Sequence, residues 1–280
     1  MEIFRALGVL AERPSPESAA VARALGLGGF PSPAEHTELF ELNLHPYASV
    51  HLGDEGALGG EARDRVAGFW RALGLVPPAE PDHLASVLGL YATVAEVGAP
   101  GDVQRALLWE HLVPWLPPWL EKAKEIAPPF YGEWAELLEV VLVAEAERLP
   151  AEGIVPLQLR ETPRLADPRA QGSDAFVTAL LASARSGMLL VRADLARAAR
   201  ELELGLRLGE RRFVLRALLA QDPNETLSWL AREAERWGDR HRRMPAAFAP
   251  VTEIWAARAE RTAALLEELA ATTKKEVVRV

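Results

Sequence analysis

A chain of 280 residues, 49% apolar and 25% charged, is long enough to bury a sizeable core and has the composition of a folded globular protein. It contains no cysteine, which excludes disulfides, thiolate metal sites, iron–sulfur ligation and a cysteine nucleophile together. The net charge of −9 is uneven: residues 1–150 carry 10 Lys/Arg against 22 Asp/Glu, and the remainder 21 against 18. An acidic first half repels phosphate backbones and attracts basic peptides, although solvated acidic helix faces are its plainer reading. No early segment has the basic start, apolar stretch and small-residue cleavage site of a signal peptide. Nor does any apolar run reach the roughly 18 residues of a membrane span. The richest stretch, Trp134 to Ala146, is broken by Glu136, Glu139 and Glu145. A protein without a membrane span is expected.

Nearly every element reads as a helix. Ser15-Pro16-Glu17 sets a cap before a proline at the first helical position, and Gly26 is the stop. Ser32-Pro33 repeats the device, with Glu35 placed to complete a capping box, and Pro46 ends the segment. Helical spacing follows over Glu61–Leu73, Asp82–Val97 and Asp102–Val113, then a corner through Pro114, Pro117 and Pro118, then a helix from Pro128-Pro129 to about Leu149. Residues 151–172 lack periodicity and are rich in proline and glycine, so they are expected to link a domain over 1–150 to a helical portion over 173–280. In that portion, helices are expected near Asp174–Ala184, Arg192–Leu204 and Glu210–Leu219. A further helix is expected from the Asp222 cap to about Trp237, and a long one over Val251–Thr272, leaving Lys274 to Val280 as a frayed tail. Strand-like alternation is missing, and the fold class is all-α.

Signatures of catalysis are scarce. There is no Gly-rich loop followed by Lys-Ser/Thr, no HExxH and no GxSxG. No two of the six histidines stand three or four residues apart. Glu80-Pro81-Asp82-His83 matches the Glu-x-x-His spacing of bundle metal sites, but a proline lies inside it and there is no second copy. No catalytic residue, metal ligand or cofactor is therefore assigned. Arg192 to Ala199 resembles the opening of a helix-turn-helix, which makes a helical DNA-binding regulator using the Arg192–Arg212 region the alternative function. An enzyme in the bundle interior would need a polar-lined pocket.

One stretch is more specific. His45-Pro46-Tyr47-Ala48-Ser49-Val50-His51 is followed by the helix bearing Phe69-Trp70 and then by Glu80-Pro81-Asp82-His83-Leu84. A later run, Leu108-Trp109-Glu110-His111-Leu112-Val113-Pro114-Trp115-Leu116-Pro117, leads from a helix into a corner. Over about residues 36–148 the chain resembles the TorD/DmsD/NarJ family of molybdoenzyme chaperones, whose hallmark is a Glu-Pro-x-Asp-His-Leu-like loop opening a helix. The resemblance implies a multi-helix bundle, with residues beyond 150 as an additional helical portion. It also implies a cytoplasmic protein, monomeric or homodimeric, that binds the catalytic subunit of a molybdopterin-dependent oxidoreductase or its twin-arginine signal peptide before cofactor insertion and export. The residues it carries over are Glu80, Pro81, Asp82 and His83, with Tyr47, Trp115, Pro117 and Trp119 as neighbours.

The residues themselves allow two readings of the loop. Asp82, directly after a proline, is placed to cap the helix it opens, with His83 bonding a backbone carbonyl. Alternatively, Asp82 and Glu80 meet guanidinium groups of a client, whose apolar stretch lies in a groove lined by Trp70, Leu73, Trp115 and Trp119.

Overall fold

The computed structural model describes residues 2–53, 56–153 and 155–277, with side chains as far as 272. The fold is all-α: among the described residues the only β pairing is one antiparallel bridge, between Tyr47 and His83. The chain divides into two compact units, Met1–Gly53 with Ala57–Glu161 and Met244–Val251, and Asp54–Gly56 with Thr162–Arg243 and Thr252–Val280. The division falls inside the segment expected to be a linker. That segment holds two short helices, α10 and α11 below, and buries Leu159 completely.

The first unit runs α1 (Glu2–Ala11), α2 (Pro16–Ala24), α3 (Pro33–His36), α4 (Ala48–Leu52), α5 (Gly60–Ala72), α6 (Leu84–Glu96), α7 (Gly101–Leu107), α8 (Leu116–Ile126), α9 (Pro129–Arg148) and α10 (Leu157–Glu161). Two π-helical turns continue α3 over Thr37–Asn43 and α7 over Leu108–Leu112. The Leu44 N–H reaches the Leu39 carbonyl at 2.6 Å and the Val113 N–H reaches that of Leu108 at 2.8 Å, the five-residue step of that geometry. Ser15 and Ser32 cap α2 and α3 as their positions before proline predict. The reciprocal capping box, however, joins Ser15 to Ser18, while Ser32 only accepts from the Glu35 N–H. Pro117 and Pro118 occupy the first turn of α8, where a missing N–H costs least, so the expected corner is the start of a helix.

α1 lies on α6 at Gly8, where a Cβ would stand 3.2 Å from the Ala85 carbonyl oxygen. The core is aromatic. Phe40 stacks on Trp119 at 5.9 Å and meets Tyr131 and Trp134 edge-on. Three indole N–H groups are satisfied by backbone carbonyls across the unit: Trp134 donates to Leu7 at 3.1 Å, Trp109 to Leu149 at 2.7 Å and Trp119 to His45 at 3.2 Å. Residues Ala246–Phe248 form a 3₁₀ turn that packs on α9, with Phe248 and Val251 fully buried.

The second unit holds α11 (Pro168–Gln171), α12 (Ser173–Leu181), α13 (Ser183–Ser186), α14 (Arg192–Glu201), α15 (Arg211–Gln221), α16 (Pro223–Arg243) and most of α17 (Ala249–Val277). The last helix runs through Val277, past the expected start of a frayed tail; residues 278–280 lie outside the described residues. α13 meets α17 at Gly187, whose φ of +76° and closeness to the Ala259 N–H leave no room for a side chain. Trp237 and Trp255 sandwich His241, whose Nε2 lies 2.9 Å from the Gly187 carbonyl.

Candidate functional site

The Glu80–His83 loop clasps the start of α4. The Ala48 N–H donates to the Asp82 carbonyl at 3.0 Å and the Leu84 N–H to the Pro46 carbonyl at 2.8 Å, which sets the first turns of α4 and α6 side by side. The capping is crossed. Asp82, 2% exposed, turns away from the helix it precedes and accepts from the Ser49 N–H in the first turn of α4 at 3.1 Å. His83 is the residue with the extended backbone that a cap requires (φ −64°, ψ 140°), and its Nδ1 accepts from the Ala85 N–H of α6 at 3.1 Å. The expectation that Asp82 caps α6 and His83 bonds a carbonyl is corrected accordingly. One loop pins the origins of two helices, and Pro81 is buried beneath it.

A polar rim stands on the clasp. The Tyr47 hydroxyl donates to the exposed Glu80 carboxylate at 2.9 Å, and its ring meets His83 edge-on at 4.8 Å. Burial and the Glu80 carboxylate push the Tyr47 phenol up to about 12, with Asp82 and Glu41 adding negative potential. Burial holds the His83 imidazole below its ordinary range despite Glu80 and Asp82, so His83 is neutral at pH 7 and Nε2 carries its proton. Glu41, delivered by the π-helical turn, pairs with Arg13 at 2.9 Å. The arrangement can accept hydrogen bonds from a cation. Sequence reasoning missed Glu41, because a π-helical turn rotates each later residue relative to α-helical spacing.

The corner residues do not join this rim. Trp115 and Trp119 are 0% exposed, and Pro117 is buried with them. Trp115 stacks on His51 with a 2° interplanar angle, and its N–H is spent on the His111 carbonyl at 2.9 Å. All three are core and line no open groove. Trp70 and Leu73 are half-buried on α5 and just beyond it. The apolar surface next to the clasp in sequence is instead Leu75 and Val76, the latter 88% exposed.

The Arg192–Arg212 region presents no recognition helix. Residues 202–210 separate α14 from α15, a longer connection than the three- or four-residue turn of a helix-turn-helix. Two of its basic groups are engaged: Arg197 binds Asp194 at 3.2 Å and Glu233 at 3.0 Å, and Arg211 donates to the Leu190 carbonyl at 2.7 Å. Among the described residues, no group of three or more His, Asp or Glu side chains could hold a metal, and no helix is long and apolar enough to cross a membrane.

Residues 33–121, which contain the clasp and both π-helical turns, match the family model described as nitrate reductase delta subunit. Over that segment the chain is similar to the NarJ/TorD-type chaperone family that its loop and corner resemble. No curated protein and no solved structure matches the chain.

Proposed function

We propose that this protein is a cytoplasmic, non-catalytic chaperone that binds the apo catalytic subunit of a molybdopterin-dependent oxidoreductase, through its twin-arginine signal peptide, and releases it after cofactor insertion. The observation that carries the reading is the rim on the clasp: an exposed Glu80 carboxylate, oriented by Tyr47, with further negative potential from Glu41. A carboxylate held by one phenol retains lone pairs for a guanidinium, and such bonds are strong and directional. In this reading Tyr47, Glu80 and His83 touch the client. Pro81 and Asp82 position them from below, and Trp115, Pro117 and Trp119 support them from the core. Leu75 and Val76 offer exposed surface to the apolar stretch that follows the arginines.

The test is a pull-down from native cytoplasm with the wild-type chain and with Glu80→Gln, beside anisotropy with a labelled peptide bearing paired arginines and an apolar run. The expected outcome is recovery of a molybdoenzyme catalytic subunit by the wild type, and peptide affinity about tenfold weaker in Glu80→Gln. Equal affinity in both proteins would remove the rim from the reading. Failure of the wild type to recover any such subunit would remove the reading itself.

A further inference from the structure

The acidic rim already holds a guanidinium from its own chain. Arg13 stands between α1 and α2, where Pro14 disfavours a further helical turn, and its side chain is 82% exposed. Across a separation of 28 residues, that side chain donates to the Glu41 carboxylate at 2.9 Å. Buried His36 ties the two ends of the pair together. Its Nε2 lies 3.4 Å from the Ala11 carbonyl at the end of α1, and its Nδ1 lies 4.0 Å from Glu41. Glu41 belongs to the rim, because it joins Glu80 in the negative potential that raises the Tyr47 phenol. The two carboxylates differ in what holds them. Glu80 accepts from a neutral phenol, whereas Glu41 is paired with a full positive charge.

An ion pair this exposed adds little to the stability of a fold. It does decide what an arriving cation meets. We propose that Glu41 is the acceptor for a second guanidinium of the client, and that Arg13 is an internal stand-in that occupies Glu41 until the client displaces it. The inference rests on the client reading of the rim. A client with paired arginines then meets Glu80 directly and Glu41 by exchange. Replacing one guanidinium by another conserves the charge-assisted hydrogen bond, so the exchange itself is close to neutral. The cost falls on access: apparent affinity is reduced by the fraction of molecules in which Arg13 covers the acceptor. A weak surface pair makes that a modest threshold, which a client crosses unaided.

Fluorescence anisotropy of the full chain with a labelled peptide bearing paired arginines and an apolar run tests the exchange. Arg13→Gln is expected to bind about two- to fivefold more tightly than wild type, the worth of one exposed ion pair. Arg23→Gln removes the same charge from an exposed position on α2 and should leave the affinity at the wild-type value. In a double-mutant cycle, adding Arg13→Gln to Glu41→Gln should bring no gain over Glu41→Gln alone. Equal affinity in Arg13→Gln and wild type would overturn the proposal. So would a gain that persists beside Glu41→Gln, or an equal gain in Arg23→Gln, since either means that Arg13 acts through net charge alone. In each of those cases the rim reading survives if Glu80→Gln still weakens the peptide. A wild type that binds no such peptide would sink the rim reading and this proposal together.

Discussion

Asp82 and Glu80 are two residues apart and do different work. Asp82 is a buried acceptor for a backbone N–H of α4, so Asp82→Ala leaves that donor unsatisfied and should cost about 1–3 kcal/mol, read as a lower denaturation midpoint. Glu80→Gln, on the exposed rim, should stay within about 0.5 kcal/mol of wild type. Only the second can report on client binding without a folding defect. Sequence alone marked both as notable, because Glu-Pro-Asp-His at a helix opening is a conspicuous grouping, but it placed the cap on the wrong helix. The crossing depends on a bridge between residues 47 and 83 that no local pattern announces. The same limit explains the tryptophans: helical spacing names an apolar face without saying whether a groove or a core faces it.

His111 gives a residue-scale pH dependence. Burial lowers its imidazole from 6.5 to about 4, so the fold holds it neutral where the unfolded chain would take a proton. Stability from this group is therefore whole above the unfolded value, falls as pH drops through the window between the two, and is flat below it. Roughly 3 kcal/mol is at stake, and His36 and His83, also lowered by burial, act in the same direction. Denaturation midpoints measured from pH 7 to pH 4.5 should fall, and His111→Leu should flatten the decline.

At the scale of elements, helix starts were the most legible part of the fold. Ser15, Ser32 and Asp222 cap helices where the chain places them before a proline, since side-chain capping and a fixed φ are local chemistry. The π-helical turns and the helix through Pro117-Pro118 were not legible, because packing decides whether a turn widens and whether prolines begin or interrupt a helix. Two junctions make predictions. Gly187→Ala meets both a left-handed φ and the α17 backbone, and should cost about 2–5 kcal/mol. Gly26→Ala has a similar φ of +72° and nothing within 4 Å, and should cost about 1–2 kcal/mol, so thermal melts of the pair separate backbone strain from crowding. Within the second unit, Glu233 is fully buried beneath Arg197 and Arg236 at 3.0 and 3.1 Å. Glu233→Ala leaves Arg197 with Asp194 and releases the half-exposed Arg236, and should destabilise by about 1.5–3 kcal/mol in equilibrium unfolding.

At the scale of the whole molecule, helical spacing and the lack of strand-like alternation pointed to the helical class, but the return of residues 244–251 to the first unit was not legible. A boundary near residue 150 follows from proline and glycine content, whereas the first unit ends at Glu161 and takes back Met244–Val251. Phe248 and Val251 of that returning segment are fully buried. A fragment of residues 1–161 lacks them, and should bind a hydrophobic dye and unfold with a lower midpoint than the intact chain.

The return of that segment also sets an order of events during synthesis. A ribosome delivers the clasp early, yet the unit carrying it stays unfinished until residue 251 has cleared the exit tunnel, after residues 162–243 of the second unit. A nascent copy stalled before that point displays the acidic rim on an incomplete support. Completion of that unit therefore comes in one late step, after residues 162–243 have emerged, rather than growing with the length of the emerging chain.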